Sequence, residues 1–185
     1  MYKQIPITNA SKIQLNEILE IRNLPSVRKQ MFNQDEITKE DHSIWCTKKI
    51  YSHNKSEDSY IVTSKKDNCV VGFFRYWFDR EYGAGNWSMF TDIRDQKFGL
   101  GIFCEVTALD MFFSSRFNKT NEIIAEVNIH NHILSLHKKL GFEITVQKED
   151  KIVIMRNTRK RYAANRCKIE GVLERIDSLW QNKHA

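Results

Sequence analysis

The sequence lacks the features that mark several large classes of protein. Its four cysteines, Cys46, Cys69, Cys104 and Cys167, include no Cys-x-x-Cys pair and have no clustered histidines nearby, which argues against a zinc site and a disulfide scaffold. No apolar run approaches the length of a bilayer span, and there is no internal repeat or low-complexity tract. The first residues show no basic-then-apolar export signal, so we expect a cytoplasmic protein with reduced thiols.

Length and composition favour a single globular domain. The chain has 185 residues, of which 41% are hydrophobic and 11% aromatic, enough for one well-packed core. A net charge of +6 favours acidic partners, but much of the positive charge falls in residues 156–168. Phosphorylated small molecules would satisfy that charge as well as a nucleic acid, and a nucleic acid is the less favoured partner. We therefore predict a domain over residues 1–156, followed by a basic linker and an amphipathic C-terminal helix over 157–185.

The hydrophobic pattern alternates between strand and helix periods. It predicts strands over residues 5–7, 60–63, 70–78, 87–93, 123–129, 142–146 and 152–155. Helical spacing covers residues 12–23, 26–32, 38–50, 101–117, 132–140 and a last helix from residue 169. This order predicts a mixed α/β architecture.

The segment Gln96–Gly101, with the sequence Gln-Lys-Phe-Gly-Leu-Gly, lies where a predicted strand gives way to a predicted helix. Backbone N–H groups and the positive end of a helix dipole converge at such a junction and favour an anion, typically phosphate. No Lys-Ser/Thr follows, as it would in a P-loop, and the third glycine of a dinucleotide fingerprint is missing. A plain strand-to-helix turn that uses glycine for its backbone freedom is the alternative interpretation.

This loop resembles the Gln/Arg-x-x-Gly-x-Gly/Ala pyrophosphate loop of the GNAT superfamily of N-acetyltransferases. A second motif, Leu136–Phe142 (Leu-His-Lys-Lys-Leu-Gly-Phe), is similar to the signature that ends the cofactor-side helix of that superfamily. The two occur in the superfamily's order. The resemblance implies a GNAT-type acyl-CoA N-acyltransferase fold, with a central mixed, mostly antiparallel sheet flanked by helices and here an extra C-terminal helix. It also implies acetyl-coenzyme A as co-substrate and no metal.

The N-terminal part of the chain narrows the resemblance. Residues 21–32, the segment 37–45 and Ala108-Leu109-Asp110 are similar to the UDP-4-amino-sugar N-acetyltransferases of pseudaminic acid biosynthesis. The similarity runs from about Asn16 to Phe142 and implies acetylation of the 4-amino group of a UDP-linked amino-deoxy sugar. Two departures stand out: the chain is one residue shorter between Val127 and His137, and His137 stands where many members carry tyrosine.

By this resemblance, residues on the predicted central strand, in the glycine loop and after the next strand bind acetyl-coenzyme A: Met89, Phe90, Thr91, Gln96, Phe98, Gly99, Gly101, Ile102 and Asn131. Because of the shorter segment, His130 or Asn131 could take the usual asparagine position. His137 shares a helix face with Ile133 and Leu134 and so turns toward the interior or the cleft. A histidine there can protonate a thiolate near neutral pH, although it could equally be a packed structural histidine.

Candidates for the remaining roles are less specific. Glu126 could accept the amine proton through water, His130 is a weaker candidate, and no base is needed if the amine arrives neutral. The acceptor pocket would be bounded by Arg22, Asn23, Arg28, Met31, Phe32 and Trp45, unless the apolar members are core and the arginines surface charges. We expect Cys104 to be core rather than a nucleophile.

Two other functions fit the sequence. Acetylation of protein N-termini would use a similar loop and C-terminal motif. Alternatively, the basic segment 156–168 and the last helix could form a binding module for a nucleic acid or a partner protein, although a solvated basic linker is the simpler interpretation. The last helix could dock on the domain or on a second copy, so a homodimer is possible.

Overall fold

The computed structural model describes residues 2–51, 57–92, 94, 99–115, 120–148 and 151–182, with the side chains of residues 51, 176, 177 and 179–182 outside that description. Strands and helices alternate much as the sequence pattern predicts. The strands are β1 (Tyr2–Pro6), β2 (Glu57–Ser64), β3 (Val70–Asp79), β4 (Ala84–Thr91), β5 (Glu122–Asn128), β6 (Glu143–Lys148) and β7 (Ile152–Thr158). The helices are α1 (Lys12–Asn23), α2 (Pro25–Arg28), α3 (Lys39–Tyr51), α4 (Leu100–Ser114), α5 (Leu134–Lys139) and α6 (Arg159–Asn182).

The described strands form one mixed sheet in the order β1-β2-β3-β4-β5-β7-β6. Every neighbouring pair is antiparallel except β4 and β5, which run parallel. This confirms the predicted mixed, mostly antiparallel sheet flanked by helices, with a C-terminal helix added.

Side chains alternate between the two faces of the sheet, and each face has its own core. On one face α1 and α2 pack over a cluster that includes Ile21, Ile61 and Phe73. On the other, α4 and α6 pack over a larger cluster that includes Phe74 and Leu109. The adjacent residues Phe73 and Phe74 thus belong to opposite cores, as a strand buried on both faces requires.

Gly85 marks the point where α4 approaches the sheet most closely. A Cβ atom added there would lie 2.1 Å from the ring of Phe112, a fully buried residue of α4. Only glycine therefore leaves room for that ring. Because Gly85 is also one of the two β4 residues paired with β5, the aromatic contact lies at the junction of the two strands.

The C-terminal segment differs from the prediction. Residues 157–168 are not a linker but complete β7 and begin α6. Tyr162 and Ile169 are buried in the larger core, and the Tyr162 hydroxyl donates a hydrogen bond of 2.6 Å to Asp110 of α4. The basic composition does not reveal this docking, because the few apolar residues that pack on the domain are separated along the chain by charged residues that point outward. The first part of α6 docks on the same domain.

Several boundaries also move. The predicted helix over 26–32 ends at Arg28, and β4 begins at Ala84, three residues before the predicted strand over 87–93. Thr38, the first residue of the predicted helix over 38–50, directly precedes α3, and its Oγ1 accepts a hydrogen bond of 3.0 Å from Asp41 N–H. None of the described helices has the length and apolar character needed to cross a membrane.

Candidate active site between diverging strands

The parallel strands β4 and β5 pair only at Gly85–Ile123 and Asn86–Ile124 and then diverge. A cavity of about 370 Å³ opens between them. It is lined by β4, by the centre of β5, by α2 and the residues after it, and by the segment that leads into α5: Ser26, Val27, Gln30, Met31, Phe32, Arg75, Trp77, Asn86, Trp87, Ser88, Met89, Phe90, Thr91, Ala125, Glu126, Val127, Asn131, His132, Ile133 and His137.

One edge of β4 faces this opening. Met89, Phe90 and Thr91 pair with β3 on their other side, but no described residue of β5 pairs with them. Their backbone groups on the β5 side are therefore available to an extended ligand, which could bind them as an additional strand would. These three residues, which belong to the set that the resemblance assigned to the cofactor, thus lie along the cavity.

Asn86 stabilises the point of divergence. Its Oδ1 accepts a hydrogen bond of 2.8 Å from the backbone N–H of Trp87, and its Nδ2 donates to Asp79 Oδ2 at 3.0 Å. The side chain is 7% exposed. It satisfies the first backbone donor that lacks a strand partner, which would otherwise be costly to bury. The sequence does not predict this role, because Asn86 lies just before the predicted strand over 87–93.

His137 is buried at 3% exposure and lines the cavity, as its position on α5 predicts. Its Nδ1 lies 2.5 Å from Oε1 of Glu105, which is fully buried on α4. The rings of Trp87 and Phe142 pack around the imidazole, with centroids 5.4 Å and 5.2 Å away. Burial raises the pKa of Glu105, and the neighbouring His137 opposes that change.

Sequence reasoning also missed Glu105. The available signal was its phase, since Glu105, Leu109 and Phe112 recur at the spacing of one helix face and all three are fully buried. A single carboxyl on the apolar face of a helix needs a partner, because a buried ionised group is costly alone. The structure supplies His137, from a segment distant in sequence.

Glu126 occupies the opposite face of β5 from Ala125 and Val127. Its Oε1 accepts hydrogen bonds from the Tyr82 hydroxyl at 3.0 Å and from Lys148 Nζ at 3.2 Å, and its side chain is 29% exposed. Hydrogen bonds to Tyr82 and to Glu126 raise the pKa of Lys148. Glu126 therefore lines the cavity as one member of a partly exposed polar group.

A cation that the sequence did not single out also lines the cavity. Arg75 Nε donates to Ser88 Oγ at 3.1 Å, and its guanidinium lies 4.9 Å from the centroid of the Trp77 ring. Its Nη1 is 3.6 Å from Glu57 Oε1. Arg75 alternates with the buried Phe74, so it projects on the α2 side of the sheet, near Phe32.

The predicted acceptor residues divide into two groups. Met31 and Phe32 line the cavity, and Phe32 is 57% exposed. The other four do not line it. Asn23 binds the backbone of Ile37 through both of its amide atoms, at 2.8 Å and 2.9 Å, and Trp45 packs edge-on against Phe73 in the smaller core.

The two predicted arginines lie side by side near the segment that follows α2. Arg22 Nη2 donates to the backbone oxygen of Asn33 at 2.7 Å, while Arg28 Nη1 is 3.6 Å from Glu36 Oε2. Burial and the charge of Arg28 together lower the pKa of Arg22. In the described structure both arginines contact the segment that follows α2, whereas the sequence predicts that they bound the acceptor pocket.

The glycine loop is described only in part. Gln96 and Phe98 lie outside the described residues, whereas Gly99, Gly101 and Ile102 start α4. Gly99 has φ 86°, a left-handed conformation suited to glycine, and a Cβ added at Gly101 would meet no atom within 4 Å. These three residues do not line the cavity itself.

The remaining candidates have clear positions. Asn131 lines the cavity and its Oδ1 accepts from Ile133 N–H at 3.0 Å, whereas His130 does not line it. Cys104 is fully buried and burial raises its thiol pKa, which confirms it as core rather than nucleophile. Within the described ranges, no group of three or more histidine, cysteine or acidic side chains could hold a metal ion.

Comparisons with known proteins bear on the fold. No protein-family model matches the sequence, and no curated protein matches it significantly. Solved structures do match: Campylobacter jejuni N-acetyltransferase PseH in complex with acetyl coenzyme A is 14% identical, with a TM-score of 0.61 over 86% of this chain and 99% of that one. Vibrio cholerae spermidine N-acetyltransferase, in complex with CoA and spermine, is also 14% identical, with a TM-score of 0.70 over 88% and 98%.

A third match is FdhC, a nucleotide-linked sugar GNAT in its apo form, which is 14% identical with a TM-score of 0.68 over 90% of this chain and 92% of that one. At these identities the comparison concerns architecture rather than substrate. The alignments cover 86–90% of this chain and 92–99% of the three solved structures. The chain therefore has the fold of the GNAT N-acetyltransferases.

Proposed function

We propose that this protein is an N-acetyltransferase that moves an acetyl group from acetyl-coenzyme A to the 4-amino group of a UDP-linked amino-deoxy sugar, as in pseudaminic acid-type biosynthesis. The observation that carries the proposal is the cavity between β4 and β5, which combines an unpaired backbone edge with the buried imidazole of His137. A thioester, an amine and a proton donor can meet there.

The fit to acetyl-coenzyme A rests on the shape of β4 and the start of α4. An amide-bearing pantetheine arm can hydrogen-bond the free backbone edge of Met89, Phe90 and Thr91. The left-handed turn at Gly99 and the open space at Gly101 leave the first amides of α4 accessible to a diphosphate. Gln96, Phe98, Ile102 and Asn131 complete the proposed set.

The chemistry follows from the groups at the two sides of the cavity. Acetyl transfer needs a donor near the carbonyl oxygen and a proton for the departing thiolate. Backbone amides of β4 would polarise the thioester, and His137 would protonate the sulfur. Glu126, on the other face of β5 and held by Tyr82 and Lys148, would accept the amine proton through water.

Charge at the acceptor side favours an anionic acceptor over a polyamine. Among the described lining residues Glu126 is the single carboxylate, and Lys148 already compensates it. Arg75 adds a guanidinium that lies 3.6 Å from Glu57, a carboxylate that Lys49 also contacts, so that one acidic group faces two cations. The rings of Trp77 and Phe32 offer flat surfaces to a sugar or a base. In the proposal Arg22 and Arg28 contact the diphosphate once the residues around Asn33 adjust.

A nucleic-acid-binding tail is less well supported. Arginine side chains of the basic segment are paired with acidic groups of the domain: Arg156 with Glu122 at 2.8 Å, Arg161 with Glu143 at 2.9 Å and Arg166 with Asp110 at 3.2 Å. Charges neutralised within the fold are poor phosphate ligands. The pairs also explain why a basic sequence can form a docked helix.

The direct test is incubation with acetyl-coenzyme A and a panel of acceptors, read by mass spectrometry of the products. We expect acetylation of a UDP-4-amino-sugar and none of spermidine. Transfer only to a peptide N-terminus would contradict the sugar assignment in favour of protein acetylation. Arg75→Ala should raise the KM for the UDP-sugar while leaving that for acetyl-coenzyme A unchanged, and Arg175→Ala on the exposed side of α6 is the matched control.

A further inference from the structure

The buried pair of Glu105 and His137 has an arrangement that the proposed function does not itself explain. Glu105 is fully buried and His137 nearly so, and Nδ1 and Oε1 are 2.5 Å apart. The second carboxyl oxygen, Oε2, is buried and has no hydrogen-bond partner among the described residues. An ionised carboxylate normally accepts several hydrogen bonds when it is buried. Within the described ranges Glu105 has a single hydrogen-bond partner, His137.

The two ring nitrogens of His137 face different surroundings. Nδ1 points at Glu105, so it is not available to a ligand. For Nε2 the described residues provide no hydrogen-bond partner, and it is not among the buried, unpartnered atoms, while the side chain lines the cavity. Nε2 is therefore the nitrogen that can reach a substrate.

The charge of the pair decides which proton state is favoured. With two protons the pair is neutral overall, whichever atom holds the shared proton, and Nε2 carries a hydrogen. With one proton the pair carries a net charge of −1 and Nε2 presents a lone pair. In a fully buried site a net charge is costly unless another group compensates it.

Compensation from other side chains is absent in the described part of the chain. Neither oxygen of Glu105 lies in an ion pair with a lysine or arginine. Cys104 on α4 is buried, Glu126 on β5 lies on the opposite face, and His132, Lys138 and Lys139 near or on α5 are exposed. Trp87 and Phe142, which pack against the imidazole, carry no charge.

We infer, building on the proposed acetyl transfer, that Glu105 is a positioning residue that keeps the pair in its two-proton form, so that Nε2–H of His137 faces the cavity as a proton donor. When the C–S bond breaks, Nε2–H passes its proton to the thiolate sulfur and coenzyme A leaves as the thiol. Nδ1–H then remains bonded to the Glu105 carboxylate. The amine gives up one proton to Glu126 through water, and the transfer of that proton through water to Nε2 restores Nε2–H, so the cycle balances.

This role differs from that of a carboxylate that prepares a histidine as a base. In that arrangement an ionised carboxylate fixes Nδ1–H and leaves a lone pair on the other nitrogen. Here the sealed, singly bonded Glu105 favours the neutral pair, which makes His137 an acid in its resting state. The two roles predict opposite occupancies of the Nε2 proton, which can be measured in the free protein.

The first measurement is NMR of the protein labelled with ¹⁵N-histidine, with His137 assigned from the spectrum of His137→Gln. We expect Nε2 to carry a proton from about pH 6 to about pH 8 and the Nδ1 bond to give a strongly downfield proton that Glu105→Gln abolishes. A wild-type Nε2 without a proton at about pH 7 would overturn the inference. No substrate is needed, so this result does not depend on the acceptor.

The second measurement is the pH profile of acetyl transfer by Glu105→Gln. We expect kcat to fall about tenfold or more, with the alkaline limb moved to lower pH and KM for acetyl-coenzyme A unchanged. Glu143→Gln, which removes an exposed carboxylate paired with Arg161, is the matched control and should retain the wild-type profile. If Glu105→Gln does not fold, Glu105→Asp is the second variant. It keeps a carboxyl group, but its shorter side chain moves that group away from Nδ1 of His137, so it should shift the profile in the same direction.

The outcomes separate the two proposals. Wild-type transfer together with an unchanged Glu105→Gln profile overturns the role of Glu105 alone. Absence of transfer to every acceptor overturns the proposed function and the role of Glu105 with it, whatever the NMR shows about the pair.

Discussion

Two glutamates lie on opposite faces of the sheet near the same cavity, which Glu126 lines directly and Glu105 approaches through His137, and their surroundings differ sharply. Glu105 is sealed in the larger core with His137 as its one described partner. Glu126 is 29% exposed at its side chain and shares its oxygen with Tyr82 and Lys148. The same chemical group is thus fully buried on one face of the sheet and partly exposed on the other.

The contrast teaches that burial, rather than residue type, separates the proton roles proposed for these two carboxyl groups. Burial raises the pKa of Glu105, so that carboxyl favours a protonated or shared state. Glu126 instead has a cation beside it and access to water, which suits a group that accepts a proton. A pair of carboxyl environments that differ in this way is typical of sites that separate acid from base.

The largest expected effect is on stability. Glu105→Ala should lower the free energy of unfolding by about 3 kcal/mol, since it leaves a cavity and strips a buried imidazole of its partner. Glu126→Ala should cost far less because exposed ion pairs contribute little. Urea denaturation of both variants provides the comparison, and equal losses would show that the difference in burial carries no energetic weight.

His137→Ala should reduce kcat by about 10²-fold, because it removes the proposed proton donor, with little change in acetyl-coenzyme A affinity. Steady-state kinetics and calorimetric titration measure the two effects separately. Lys138→Ala, which changes the exposed neighbour on α5, is the control. Full turnover by His137→Ala would remove the histidine from the mechanism and leave it a structural role.

The pH dependence of stability should report the raised pKa of Glu105. Because the pKa of Glu105 is raised in the folded state, its contribution is fully present below the unfolded pKa of about 4.3 and is lost as pH rises through the folded pKa. The advantage of the wild type over Glu105→Gln should therefore shrink from about pH 5 to about pH 8. Thermal melts of both proteins test this, and a growing advantage would contradict the raised pKa.

The smallest effect is expected for Glu126→Gln. Water can take the amine proton without the carboxylate, so kcat should fall less than about tenfold near pH 8 and more at lower pH, where fewer amines are neutral. Initial rates across this range are the measurement. A loss as large as that of His137→Ala would make Glu126 an equal partner in the chemistry.

Particular elements show how far the sequence could lead. Lys12–Asn23 matches the predicted helix, and Gly99 occupies the left-handed turn before α4 that the glycine pattern suggested. Local signals suffice in these places because helix periodicity and glycine geometry act over a few residues. The sequence places Trp45 and Asn23 in the acceptor pocket, whereas the structure places Trp45 in the smaller core and Asn23 against the backbone of Ile37. Residue type does not reveal which face of an element is buried.

The sequence by itself determined the order of the elements, the junction where a strand delivers the chain to α4, and the burial of His137, since each depends on near neighbours in the chain. Only the tertiary structure decided that Glu105 partners His137, that Arg75 lines the cavity and that Arg156, Arg161 and Arg166 are neutralised by the domain. These contacts join residues far apart in sequence, and their energies depend on the burial and charge that the assembled fold imposes.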